Sequence, residues 1–170
     1  MAFVLVHIAA WLEYGTQFDM RNIVTTNESD YDTLTTLWEA SVRATHLFLS
    51  EEDILALRPL VRGTYLKGVE LRVYRDDAGV ILGFVGVAEG KVEMLFVSPE
   101  ARGRGIGKAL LRHAIEEMGA KLVDVNEQNP QAVGFYLHEG FEVVGRSPVD
   151  GQGRAFPLLE MRLGSSHCVV

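Results

Sequence analysis

The sequence predicts an α+β domain, and three stretches carry the prediction. Residues 69–74 and 80–88 are apolar runs around Arg75-Asp76-Asp77-Ala78-Gly79, the composition of a hairpin turn, and a further run follows at 91–97. That run leads through a Gly-rich loop into an apolar stripe at helical spacing. Leu122-Val123-Asp124-Val125 then precedes a capped helix and another strand.

Taken in order, 23–26 reads as a first strand. Ser29-Asp30-Tyr31-Asp32 starts a helix with acids in its first turn, and Leu34, Leu37, Trp38 and Val42 form its apolar face. Ser50-x-x-Asp53 resembles a capping box for a second helix, which runs to about Val61. After the strands at 69–74, 80–88 and 91–97, a helix over 103–118 carries Ile106, Leu110, Ala114 and Met118 at i+4 spacing. A strand at 122–125, a helix opening at Asn129, and strands at 141–145 and 156–163 complete the pattern.

The chain has 170 residues, 48% of them hydrophobic, which is enough for one domain with a full core. A formal charge of −7 argues against a general nucleic-acid binder and suits a cationic partner such as an amine, although it is also ordinary for solubility. Cys168 is the single cysteine, so no internal disulfide can form, and a reducing, cytoplasmic setting is expected. Residues 1–12 are apolar but too short to span a bilayer, and the first basic side chain is Arg21. The expected organisation is an N-terminal extension over 1–19, one domain over 20–163 and a flexible tail over 164–170. No membrane association is expected.

Two motifs carry chemistry. In Ala101-Arg102-Gly103-Arg104-Gly105-Ile106-Gly107-Lys108, the glycines let the backbone turn sharply and leave its N–H groups unshielded. Those donors, the positive end of a helix dipole and the charges of Arg102, Arg104 and Lys108 suit a phosphate or pyrophosphate. Two familiar phosphate loops are excluded by spacing. Ala109 follows Lys108 where a P-loop needs Ser or Thr, and Lys108 falls where a dinucleotide fingerprint needs its third glycine. A Gly-rich turn opening an ordinary helix is the plain alternative. In the second motif, Asn129 is a good N-cap and Pro130 fits the first helical position. Ala132 and Tyr136 then share a helix face, and Gly140 suits the helix end.

The pattern Arg102-x-x-Gly105-x-Gly107 after a strand resembles the pyrophosphate loop of the GNAT N-acetyltransferases. Asn129-x-x-Ala132-x-x-x-Tyr136-x-x-x-Gly140-Phe141 resembles that family's second cofactor motif, and the resemblance covers residues 20–163. It implies a mixed, mainly antiparallel sheet of six to seven strands flanked by about four helices, with the fourth and fifth strands splayed apart. Residues 38–49 and 125–129 resemble a bacterial branch of YjaB type, described as peptidyl-lysine acetyltransferases.

The implied activity is acetyl-CoA-dependent acetylation of an amine, a protein lysine or a small molecule, by direct attack in a ternary complex. Small-molecule or antibiotic acetylation and a non-catalytic acyl-CoA sensor remain as alternatives. The resemblance places the pantetheine arm along Leu95, Phe96 and Val97, and the pyrophosphate on Arg102, Gly103, Arg104, Gly105, Gly107 and Lys108. The Leu95 N–H would stabilise the oxyanion. Asn129 would touch the pantetheine or serve only as a cap. Tyr136 would be the general acid or a packed aromatic.

Glu93 is the first candidate base and Asp124 the second, since each interrupts an apolar strand. Alternation puts Glu93 on one face with Leu95 and Val97. His46 and Trp38 fall where the family builds its acceptor wall; His46 would bind or relay a proton, or cap its helix, and Trp38 would line the pocket or fill the core. His113 and His138 read as solvated. No metal is expected, and a homodimer is left open.

Overall fold

The computed structural model describes residues 20–165. The segment 1–19 and the last five residues, Cys168 among them, lie outside the described residues. Eleven strands and α-helices follow in the order β1 (Ile23–Thr25), α1 (Tyr31–Thr45), α2 (Glu51–Leu60), β2 (Glu70–Arg75), β3 (Ile81–Ala88), β4 (Lys91–Val97), α3 (Ile106–Glu116), β5 (Leu122–Asn126), α4 (Pro130–His138), β6 (Phe141–Ser147) and β7 (Leu158–Leu163). They form a seven-stranded sheet of order β1-β2-β3-β4-β5-β7-β6. Every neighbouring pair is antiparallel except β4 and β5. This is the mixed sheet flanked by four helices that the resemblance implied.

Side-chain alternation along the strands divides the core between the two faces of the sheet. On one face α3 and α4 bury Leu110, Leu111, Ala114 and Tyr136 against Val85, Val123, Phe141 and Met161. On the other, α1 and α2 bury Leu34, Leu37, Trp38, Val42 and Ile54 against Val73, Phe84 and Met94. The expected apolar face of α1 is thus the buried one.

The elements differ from their sequence-predicted bounds where turn chemistry intervenes. The third helix starts at Ile106 rather than Gly103, because Gly103 and Gly105 take left-handed backbone angles of φ +71 and +76. These cannot propagate a right-handed helix. The last strand starts at Leu158 rather than 156, because Phe156 is tied into a turn by its N–H to the Arg154 carbonyl. The second helix carries Pro59 and runs on into a π turn over Val61–Tyr65, closed by the Leu66 N–H on the Val61 carbonyl. A proline supplies no N–H to the preceding turn, so loosened helical geometry is natural there. Gly164, read as the start of the tail, donates its N–H to the Gly140 carbonyl at 2.9 Å.

Candidate active site

The site begins with a break in the sheet. β4 and β5 pair only at Lys91–Leu122 and Val92–Val123. Beyond that point β4 stays on β3, through Val85–Leu95, Phe84–Phe96 and Gly83–Val97, while β5 stays on β7 through Asn126–Leu158. The facing edges of residues 94–97 and 124–126 therefore have no ladder partner.

A β-bulge accompanies the break. Val87 pairs with Val92 and Gly86 with Met94, so Glu93 is the extra residue. A bulge bends and twists its strand, which fits the divergence of β4 from β5. It also corrects the expected alternation. Val92, Leu95 and Val97 pack toward α3, Met94 and Phe96 pack toward α1, and Glu93 belongs to neither series.

The gap opens into a cavity of about 630 Å³. One wall is the loop after β4. Pro99–Ala101 forms a single 3₁₀ turn, with Ala101 buried as an anchor. The chain then passes through left-handed Gly103 and Gly105 into α3. Among the described residues, no acceptor takes the N–H groups of Gly103 through Lys108. The first helical bond of α3 is from the Ala109 N–H to the Gly105 carbonyl. No side chain caps the helix and no acid stands in its first turn. Arg102 and Lys108 line the cavity, whereas Arg104 lies in the loop outside its lining. Lys108 Nζ lies 3.3 Å from Glu139, so its charge is partly engaged.

α4 forms the second wall. Asn129 accepts the Ala132 N–H at 3.1 Å, caps the helix and also lines the cavity. Tyr136 is 7% exposed and stacks edge-on against Phe135 and Phe141. Burial holds its hydroxyl well above the usual tyrosine range, and it has no hydrogen-bond partner among the described residues. The capping reading of Asn129 and the packing reading of Tyr136 are thus observed, and both residues also border the cavity.

The remaining candidates separate. Glu93 borders the cavity, and desolvation raises its carboxyl above the usual range, against the charge of Lys91. Asp124 also lines the cavity, but its carboxylate is held by Lys91 Nζ at 2.6 Å. His46 both caps and lines. Its N–H closes the end of α1 on the Val42 carbonyl, its Nδ1 sits 2.7 Å from Thr45 Oγ1, and its ring lies against Phe48 and Phe96. Burial, then the charge of Arg102, pushes it down to about 4, so it is neutral at pH 7.

Trp38, 5% exposed, is core and lines a different cavity on the α1 face. His113 was read as solvated, and the structure corrects this: its Nε2 is buried with no partner, because the α3 surface it lies on packs toward β2. His138 is exposed as expected. Sequence reasoning missed Ser41 and Thr45, which line the cavity from α1. Their signal was small polar residues at i, i+4 beside an apolar face. Among the described residues no cluster of three metal-ligating side chains occurs and no helix is long and apolar enough to cross a membrane.

Comparison with known proteins agrees with this geometry. The acetyltransferase (GNAT) domain profile matches residues 67–143, from before β2 into β6. The peptidyl-lysine N-acetyltransferase YjaB of Salmonella typhimurium is 40% identical over 142 residues, covering 84% of this chain and 97% of that protein. The solution structure of apo YjaB from Escherichia coli superposes with a TM-score of 0.75 at 39% identity, covering 82% of this chain and 95% of that one. A more distant fold neighbour is the PaiA N-acetyltransferase of Thermoplasma acidophilum, solved with coenzyme A, with a TM-score of 0.64 and 23% identity over 82% of this chain and 97% of that one. With an open β4–β5 gap, a glycine-built helix start and these relatives, the chain belongs to the GNAT family of acetyltransferases and is an acyltransferase.

Proposed function

We propose that the chain transfers the acetyl group of acetyl-CoA to a primary amine, with protein lysine as the acceptor class, by direct attack in a ternary complex. The observation that carries this reading is the run of unpaired N–H groups from Gly103 to Lys108 beside the open edge of β4. The amides at the start of α3 suit a diphosphate, with Arg102 and Arg104 adding charge. The open edge of residues 95–97 suits a pantetheine arm laid down as an extra strand. The 40% identity to a protein named peptidyl-lysine N-acetyltransferase supports the acceptor class.

Acetyl-CoA supplies an activated acyl group, and the chain's residues manage the protons. A lysine-type amine, with pKa about 10.4, must lose a proton before it attacks. Glu93 suits the base. Its carboxyl lacks a hydrogen-bond partner among the described residues, and desolvation strengthens it as a proton acceptor. Asp124 is the weaker candidate, because Lys91 occupies it. As the carbon–sulfur bond breaks, the thiolate takes up the electron pair. Tyr136, held protonated by burial, suits hydrogen-bond donation to that sulfur more than complete proton transfer, since a thiol's pKa is only about 8.5.

The test is a calorimetric titration with acetyl-CoA, then a panel of amines and lysine peptides followed by release of free thiol. Saturable binding with thiol release on adding lysine peptide is expected. Binding with no release from any amine would favour the sensor reading; release only with small amines would move the acceptor to small molecules.

A further inference from the structure

The seam between β4 and β5 carries a side-chain bridge as well as its two rungs. Lys91 stands on the first rung, opposite Leu122, and its Nζ reaches diagonally to the Asp124 carboxylate at 2.6 Å. Asp124 lies just past the last rung, Val92–Val123, where the two strands have parted. The two side chains are only 31% and 32% exposed, so salt screens this pair less than a surface one.

Glu93 comes two residues after Lys91, a spacing that brings side chains of one strand near each other, and the bulge leaves it outside the ladder. It has no hydrogen bond among the described residues; desolvation and the charges of Lys91, Asp124 and Glu89 act on it. Of the elements around it, β4 supplies Lys91, the β3–β4 turn Glu89 and β5 Asp124. Glu160 on β7 pairs in register with Asp124 and adds its charge at Lys91. α1 presents His46, held neutral, and the π turn presents Tyr65. Lys91 is thus the one cation among the charges that act on Glu93, and Asp124 holds it. A carboxylate paired with an ammonium is a poorer proton acceptor, because its charged form is stabilised.

We propose that Asp124 is a positioning residue: it holds the Lys91 ammonium at the β4–β5 seam and so keeps Glu93 unpaired, free to take the acceptor nitrogen's proton. This rests on the acetyl-transfer reading with Glu93 as its base, and it gives Asp124 a task other than that of a second base.

The test is the pH profile of kcat and kcat/KM, by thiol release with a lysine peptide, for wild type, Asp124→Ala, Lys91→Met and the double variant. Acetyl-CoA affinity by calorimetry and Tm, measured alongside, separate the effect from lost binding or folding. Asp124→Ala releases Lys91 to Glu93, so kcat should fall by about tenfold or more and the acid limb should move to lower pH. Lys91→Met removes the one cation that lowers Glu93, so the acid limb should move to higher pH. In the double variant no ammonium remains to pair with Glu93, and kcat should return to within about threefold of wild type.

Wild-type kcat in Asp124→Ala, a loss that Lys91→Met does not rescue, or an unmoved acid limb in folded Lys91→Met would each overturn the positioning role while leaving acetyl transfer intact. Glu93→Gln with wild-type kcat would remove the base, and this role with it. A wild type that binds acetyl-CoA yet acetylates no amine would overturn the transfer reading, and this one too.

Discussion

α2 and α3 each begin with backbone N–H groups that no helical carbonyl can take, and they treat them in opposite ways. At α2, Ser50 accepts the Asp53 N–H and Asp53 returns a bond to the Ser50 N–H, with Glu51, Glu52 and Asp53 all in the first turn. At α3 the cap is left-handed Gly105, no side chain reaches back, and the nearby charges are Arg102, Arg104 and Lys108. The first helix start is capped by its own side chains, with acids facing the positive end of the dipole. The second is left unsaturated and surrounded by cations. One start is thus built as a side-chain cap and the other as an open, glycine-formed turn flanked by cations.

The largest test of this contrast is Gly105→Val. At φ +76 a β-branched residue is strained, and its side chain would crowd the amides. CoA affinity measured by calorimetry should fall by about 100-fold or more, since several charge-assisted hydrogen bonds are lost together. Unchanged affinity in a folded variant would break the contrast. Tyr136→Phe comes next. Acetyl transfer should slow by about 100-fold in a thiol-release assay while CoA affinity stays near wild type; equal losses in both would make Tyr136 a packing residue alone. Ser50→Ala removes the complete cap at α2 and should cost about 1 kcal/mol in urea unfolding with no change in CoA affinity.

The remaining test concerns pH. His46 is held from the usual 6.5 down to about 4, by burial and then by Arg102. The unfolded chain binds that proton more readily between these values. The stability from neutral His46 is therefore present above pH 6.5 and is lost as pH falls toward 4. His113, also shifted down by burial, acts in the same direction. Tm against pH should flatten in that window for His46→Gln.

Features that depend on neighbours in sequence were legible. The capping box at Ser50, Asn129 with Pro130, the helical stripe from Ile106 and the glycines of the loop all declare themselves through spacing. Features that depend on what lies across the sheet were not. The bulge at Glu93 exists because β3 skips a residue against β4, and nothing within 91–97 announces it. His113 lies seven residues after Ile106 and three after Leu110, so the helical period places it on the buried side of α3, and only its residue type argued for solvent. The occupation of Asp124 by Lys91 joins residues on different strands at the one place where β4 and β5 run side by side. Trp38 and His46 belong to one helix and its cap, yet they line different cavities.

The two-rung junction at Lys91–Leu122 and Val92–Val123 has a mechanical consequence. It makes β1–β4 and β5–β7–β6 two plates joined along a short seam. Whatever lies along the open edge acts as a strut between them, so saturation should slow amide hydrogen exchange on both sides of the seam and raise the melting temperature.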